Sequence, residues 1–167
     1  PDAVIIEGPM AGGHLGFKYD ELCGDSETNK NLVSESSHFD KEIKKIISLV
    51  RTYEVKYNKS IPVVLAGGIN TKEDMEHAFS LGAQGIQVGT KFIPTEECDA
   101  DINYKKAYLN INKDDLSIIK SPVGMPGRAI KNNLIKRAEA GKIPVKKCFN
   151  CLSTCDPATT PYCITEA

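Results

Sequence analysis

The chain has 167 residues, of which 41% are hydrophobic and 26% are charged, as in an ordinary globular domain. Its formal net charge of −1 gives no support for a nucleic-acid partner, which favours a basic surface. No apolar run approaches the roughly 20 residues of a membrane-spanning helix, and no secretory signal precedes the first strand-like segment, so the cytoplasm is the expected compartment.

The first predicted strand is Val4-Ile5-Ile6, a short β-branched run. A glycine-rich loop follows it, from Met10 to Gly16, and carries His14. The stretch 18–38 is polar and weakly patterned, which predicts either a functional lid or a disordered connection. The strand begins without an initiator Met or any lead-in, and we therefore expect the chain to be a fragment of a longer protein.

A helix is predicted next, with Asp40 as its cap and its end near Tyr57. Apolar residues at helical spacing should form a stripe that packs against a sheet. The stripe consists of Ile43, Ile46, Ile47, Val50 and Tyr53.

Two further strands are predicted, at 61–66 and 85–88, with a helix between them. Thr71 and Asp74 resemble a capping box that opens this helix, which should end near Leu81-Gly82. The alternation of strands and helices indicates a parallel α/β architecture, and the near-continuous apolar strands favour a sheet covered on both faces. His38 and His77 have no catalytic context, and His77 is expected at the surface.

Past Pro94 the alternation breaks down. A helix is predicted at 101–111, a short strand at 116–120 and another helix at 129–140.

Small residues follow two of the predicted strands, as Gly67-Gly68 and as Gly89-Thr90. Phosphate sites use such positions, because glycine lets backbone N–H groups approach an anion closely and a helix N-terminus adds partial positive charge. In barrels, the loops after strands seven and eight often form this site. A tight turn without a ligand is the alternative interpretation of each loop alone.

Four of the six cysteines lie in the tail, with the spacing C-x₂-C-x₃-C-x₇-C. Four thiolates at close spacing can bind a zinc ion or a four-iron cluster. Reduced cysteines that pack without metal are the alternative, and Cys23 and Cys98 are isolated. The candidate ligands are Cys148, Cys151, Cys155 and Cys163.

The motifs together resemble those of the nitronate monooxygenases, also called 2-nitropropane dioxygenases, which share them with FMN-dependent enoyl-acyl-carrier-protein reductases. The resemblance rests on the segments 2–8 and 11–16 with His14, on Ala66-Gly67-Gly68-Ile69, on Gly89-Thr90-Lys91-Phe92 and on 121–128.

The resemblance implies the C-terminal part, about strands six to eight, of a (β/α)₈ TIM barrel with FMN at its C-terminal mouth. Residues 1–97 would belong to the barrel, and 98–167 would form a post-barrel helical segment with the Cys-rich tail. Strands one to five are absent, and a barrel typically needs about 250 residues. The fragment alone is therefore not expected to bind FMN or turn over, and the N-terminal half of the barrel is its expected partner.

By the same resemblance, Glu7 and Gly12 would contact the flavin and its ribityl chain. Gly67, Gly68, Gly89 and Thr90 would hold the phosphate. His14 would lie near the reactive face of the flavin, as a base or as a hydrogen-bond donor to the nitro oxygens.

The implied activity is the oxidation of alkyl nitronates or nitroalkanes with oxygen. Reduction of an enoyl thioester with NAD(P)H is an alternative at the same flavin site. Alternatives of other classes are a small metal-binding module that acts through the tail and another phosphate-binding barrel, such as an isomerase or synthase of phosphorylated metabolites.

Overall fold

The computed structural model describes residues 1–23 and 36–165, with the backbone alone for 36–38. The described residues divide into two compact units. Unit 1 falls within Pro1–Ala11 and Asp20–Phe92, and unit 2 falls within Gly12–Tyr19 and Ile93–Ala167. The boundary at residue 97 between barrel and tail stays a prediction.

The strands and helices of the described residues alternate over the first half of the chain, as the sequence predicts. In chain order they are β1 (Val4–Glu7), β2 (Gly13–His14), α1 (Tyr19–Leu22), α2 (Ser36–Tyr57), β3 (Val63–Ala66), α3 (Lys72–Ser80), β4 (Gly85–Gln87), a 3₁₀ turn (Thr90–Phe92), α4 (Ile102–Leu109), a second 3₁₀ turn (Lys113–Asp115), β5 (Leu116–Lys120), β6 (Pro126–Ile130) and α5 (Asn133–Ala140).

Unit 1 contains a parallel sheet in the order β1-β3-β4, which confirms the parallel α/β architecture. In its register Glu7 lies beside Ala66, and Ala66 lies beside Gln87. The prediction of a sheet covered on both faces is not met within the described residues, because Ile5 is 57% exposed. One face of the sheet carries the core, and the other is only partly covered.

The core of unit 1 is a cluster of aliphatic side chains that joins this sheet to α2 and α3. Complete burial of one such side chain stabilises a fold by about 1.5–3 kcal/mol. The buried members are Ile6, Ile43, Ile47, Val50, Ile61, Val63, Leu65, Ala78, Leu81 and Ala83.

Helix α2 departs from the sequence prediction at two positions. It begins at Ser36 rather than at a cap on Asp40. The Asp40 carboxylate instead binds the Nε2 of His77 at 3.0 Å, and His77 lies at the surface as predicted. Tyr53 of the predicted stripe is 46% exposed, and its ring stacks on that of Tyr57 with centroids 6.2 Å apart.

Helix α3 begins at the predicted capping box. The hydroxyl of Thr71 accepts a bond from the backbone N–H of Asp74, and the Asp74 carboxylate accepts one from the Thr71 N–H. These bonds satisfy amides that have no partner within the helix.

Unit 2 contains an antiparallel sheet in the order β2-β6-β5. The sequence predicts β5 and α4, for which Asp101 is the N-cap. It does not predict β2 or β6, and the helix predicted from residue 129 begins only at Asn133, because Ala129 lies in β6.

No helix among the described residues is long and apolar enough to cross a membrane. The cytoplasmic location stays a prediction. Of the predicted lid at 18–38, α1 is described, whereas residues 24–35 and the side chain of His38 lie outside the described residues.

The capping box gives a test of this local fold. We expect Thr71→Ala to lower the free energy of unfolding by about 1 kcal/mol, since the N-cap oxygen is lost. Urea denaturation measures the change, and Thr71→Ser, which keeps the hydroxyl, is the control. An alanine variant as stable as the serine variant would contradict the assignment.

Candidate active site

The carboxyl end of the unit 1 sheet brings together the predicted residues that follow its strands. Glu7 ends β1 and Gln87 ends β4, and both are exposed. The register places them on the same face, on either side of Ala66. Sequence reasoning missed Gln87, although strand periodicity together with the parallel alignment could have paired it with Glu7.

Gly67 and Gly68 are required by the backbone of this fold. Their φ angles are +90° and +78°, a region that residues with a Cβ rarely adopt. A Cβ on Gly67 would lie 3.0 Å from the backbone nitrogen of Ala11, and one on Gly68 would lie 2.9 Å from the Cβ of Met10. These two glycines therefore serve the packing of the loop after β3 against the loop after β1.

Gly89 differs from them, because the fold gives no reason for a glycine there. Its φ angle is not positive, and no heavy atom lies within 4 Å of a Cβ built on it. Its carbonyl accepts a bond from the Phe92 N–H at 2.9 Å, which closes the 3₁₀ turn that begins at Thr90. A side chain at position 89 would fill open space beside the end of β4.

The backbone amides at the N-terminus of α3 already have a hydrogen-bond acceptor, which is the carboxylate of Asp74. The Asp74 carboxylate accepts bonds of 2.9 Å from the N–H groups of Asn70 and Thr71. These two bonds are the main reason that the pKa of Asp74 lies below its usual range. An external phosphate would therefore have to use the glycine loops rather than these two amides.

Lys91 joins the two glycine loops. Its ammonium donates a hydrogen bond to the backbone carbonyl of Asn70, which connects the loop after β4 to the loop after β3. The bond places a cation at the edge of the sheet where Gly68 and Gly89 lie. Sequence reasoning counted Lys91 only as part of a motif.

In unit 2, His14 lies on β2 and is exposed. The left-handed conformation of Gly13, with φ of +77°, leads the chain into pairing with Gly127 and Arg128 of β6. On the other side of His14, Leu15 is completely buried, and its N–H donates to the Pro126 carbonyl at 2.9 Å. The histidine backbone is therefore fixed on both sides. Gly12, just before β2, is exposed.

The His14 ring is held by Ser121, a residue that sequence reasoning did not single out. The Nε2 of His14 and the Oγ of Ser121 are 2.8 Å apart, and Ser121 is buried. Ser121 also hydrogen-bonds the Tyr162 hydroxyl, which partly offsets the rise in the Tyr162 pKa caused by burial. Serine has one hydroxyl proton, so it can donate to only one of these partners at a time.

The predicted site residues are therefore described in two groups. Unit 1 contains Glu7 and the residues predicted to hold a phosphate, all at one sheet edge, and unit 2 contains Gly12 and His14. The four tail cysteines are free thiols that line one pocket of unit 2. No three His, Cys, Asp or Glu side chains among the described residues are placed to hold a metal ion.

Comparison with known proteins identifies the family. The family model described as nitronate monooxygenase matches residues 1–159. A probable nitronate monooxygenase of Staphylococcus saprophyticus is 33% identical over 136 residues, which cover 81% of this chain and 34% of that protein.

Two solved structures resemble the chain at 27% sequence identity. FabK from Thermotoga maritima has a TM-score of 0.55 over 83% of this chain and 36% of its own. A nitroalkane oxidase from Streptomyces ansochromogenes has a TM-score of 0.54 over 81% of this chain and 34% of its own. Both are TIM-barrel enzymes.

The chain belongs to the nitronate monooxygenase family, a family of enzymes whose members generally use FMN. It spans about a third of the length of the relatives it matches.

The contrast between the glycines can be tested. Gly68→Ala should destabilise the complete protein by about 1 kcal/mol or more, because of its positive φ and the contact with Met10. In the same protein stripped of FMN, Gly89→Ala should change the melting temperature little, since open space surrounds the new methyl group. Equal effects on the melting temperature would contradict this distinction.

Proposed function

We propose that the complete protein is an FMN-dependent oxidoreductase that oxidises alkyl nitronates or nitroalkanes with oxygen. This chain would supply its phosphate-binding loops and its catalytic histidine, His14. The observation that carries the proposal is Gly89, a glycine that the fold does not need and whose missing side chain leaves open space at the mouth of a parallel sheet. Membership of the family supports this class of cofactor and this class of reaction.

The residues at this sheet edge fit the phosphate of FMN. Gly89 leaves room for an anion, and Lys91 places an ammonium beside the same loops. Gly67, Gly68 and Thr90 would complete the cradle with their backbone amides. The phosphate would not bind the backbone amides at the start of α3, because the Asp74 carboxylate already accepts their hydrogen bonds.

Glu7 and Gly12 would contact the flavin and its ribityl chain, as the family resemblance implies. Glu7 is exposed at the carboxyl end of β1, as that role requires. Bound FMN would accept the electrons that nitronate oxidation releases, and oxygen would be the final acceptor. Substrate orientation and proton transfer would be the work of this chain's residues.

His14 would remove the α-proton of a neutral nitroalkane, or donate a hydrogen bond to the oxygens of a nitronate. Its Nε2 faces Ser121, so the Nδ1 nitrogen would meet the substrate. When Nδ1 takes a proton, the Nε2–H donates to the Ser121 oxygen, and the new imidazolium keeps a hydrogen-bond acceptor. Because His14 is exposed, a small substrate would have access to its ring.

The rest of the barrel would be the partner of this chain. A three-stranded parallel sheet leaves two edges and, here, the partly covered face that carries Ile5. Strands one to five of a (β/α)₈ barrel would close both edges and cover that face. We therefore expect the activity to require the complete protein.

Reduction of an enoyl thioester with NAD(P)H is the second candidate. The motifs around His14, Gly67 and Gly89 also resemble FMN-dependent enoyl-acyl-carrier-protein reductases, and FabK is among the structures that resemble this chain. Consumption of NAD(P)H on addition of an enoyl thioester, without any activity on nitronates, would favour this candidate.

The phosphate site is tested by FMN content. In the complete protein, Gly89→Glu should lose most of the bound FMN, because a carboxylate would lie close to the phosphate. Gly89→Gln has a side chain of nearly the same size without the charge and should retain more FMN. FMN released by heat is measured per mole of folded protein.

Equal FMN content in the glutamate variant and the wild type would overturn the phosphate assignment. Equal loss in both variants would show that crowding, rather than charge, governs position 89.

The role of His14 is tested with two substrates. His14→Ala should keep FMN and lose about 10²–10⁴-fold in kcat on a neutral nitroalkane, the usual contribution of general acid–base catalysis. If His14 is the base, kcat on a pre-formed nitronate should fall less, because that substrate has already lost its proton. If it binds the nitro oxygens, both rates should fall equally.

Ser121→Ala serves as the matched comparison, since it removes the partner of Nε2 and leaves the imidazole. The Ser121→Ala variant should show a shifted pH dependence of kcat, whereas its FMN content should change little. Unchanged rates for His14→Ala with both substrates, where chemistry limits turnover, would remove His14 from the mechanism.

A further inference from the structure

The tail of unit 2 contains four cysteines within the short segment 148–163. Cys148, Cys151, Cys155 and Cys163 all line one pocket. The first two are exposed and the other two half-buried, and none is in a disulfide. A shared pocket is what four ligands of one inorganic group require, whereas cysteines that serve only packing would be buried separately.

The backbone after Cys148 turns back toward the sulfur of that residue. Asn150 has a φ of +52°, and this turn directs its N–H to the Cys148 sulfur at 3.4 Å. Hydrogen bonds from N–H groups to sulfur stabilise a thiolate and tune sulfur-ligated metal centres. A further turn, with the Cys155 N–H on the Leu152 carbonyl at 3.3 Å, returns the chain to the pocket.

The described segment 141–165, which contains the four cysteines, has neither regular secondary structure nor a substantial core. From residue 141 to 165 the described chain contains turns and bends but no helix or strand. Only Thr160 and Tyr162 are buried there, with the Thr160 hydroxyl bonded to the Tyr162 carbonyl at 3.0 Å. A long stretch without secondary structure or a substantial core commonly depends on disulfides or a metal.

The cysteine spacing distinguishes between a zinc ion and a cluster. Structural zinc sites typically use two ligand pairs separated by a loop of about 12 or more residues. Here only three residues separate Cys151 from Cys155, and a single cysteine follows after seven more. Three closely spaced cysteines followed by a fourth outside their run resemble the ligand pattern of iron–sulfur clusters more than the paired pattern of zinc sites.

All four cysteines line the same pocket, so one inorganic group could be bound by all of them. We propose that these four cysteines bind a [4Fe–4S] cluster in the tail of unit 2.

The charge of the segment suits such an anion. Residues 142–165 contain three lysines and one aspartate, and two of the lysines, Lys146 and Lys147, immediately precede Cys148. A cluster with four thiolate ligands carries net negative charge, which nearby ammonium groups stabilise.

The proposed cluster is also connected to the candidate catalytic residue. Tyr162, which immediately precedes Cys163, hydrogen-bonds Ser121, and Ser121 binds His14. The cluster would therefore fix the chain that supports His14, and its loss should disturb the position of the imidazole. Binding itself does not depend on the proposed oxidoreductase activity.

Metal and sulfide analysis of the anaerobically purified complete protein tests the proposal. We expect about four iron and about four acid-labile sulfide per chain, together with an electron paramagnetic resonance signal after reduction with dithionite. Cys151→Ser should lose most of the iron and the sulfide. Cys98→Ser, at a cysteine outside the pocket, should retain both.

One zinc per chain without sulfide would overturn the cluster in favour of a mononuclear site. Absence of iron and sulfide from the wild type, also after reconstitution with ferrous iron and sulfide, would overturn metal binding by the tail altogether. If Cys151→Ser does not fold, the wild-type stoichiometry and the Cys98→Ser control still decide between these outcomes. Equal loss in Cys151→Ser and Cys98→Ser would contradict the ligand assignment.

Discussion

Parallel strands that pair in register return the chain to the same edge of a sheet each time a strand ends. In unit 1 this alignment sets Glu7, Ala66 and Gln87 side by side, so the loops that follow must lie next to one another. The positive φ of Gly67 and Gly68 packs the middle loop against its neighbour. Lys91 then joins it to the loop after β4. The proposed phosphate cradle depends on this alignment, because its residues come from two separate loops that follow the paired strands β3 and β4.

In unit 2, the imidazole of His14 is held in a fixed position on the exposed strand β2. Pairing of β2 with β6 and complete burial of Leu15 fix the backbone on both sides of His14. Ser121 then fixes the ring through Nε2. The hydroxyl of Tyr162 hydrogen-bonds the same serine, so the cysteine-rich tail helps to position the residue that holds the His14 ring. The proposed proton transfer by His14 and the proposed cluster are thus linked through the hydroxyl group of Ser121.

The sequence predicts those elements whose local preference agrees with their final environment. The apolar runs of β1 and β3, the capping box of Thr71 and Asp74, and the strand β5 are all of this kind. It fails for β6, where Pro126 and Gly127 oppose a strand, and for β2, which has two residues. Both exist only through pairing between distant segments, which no local pattern encodes. Ser121 was missed for the same reason. Its role depends on a hydrogen bond to His14, which lies 107 residues away in sequence, and no local pattern indicates that contact.

The proposed function requires the FMN phosphate to lie at the carboxyl end of the unit 1 sheet in the complete protein. A crystal structure of that protein with FMN locates the phosphate. We expect its oxygens within hydrogen-bonding distance of backbone N–H groups in the Gly67-Gly68 and Gly89-Thr90 loops, with Lys91 beside them. A phosphate held by other loops, or the loss of all flavin from a correctly folded complete protein, would contradict the proposed phosphate site.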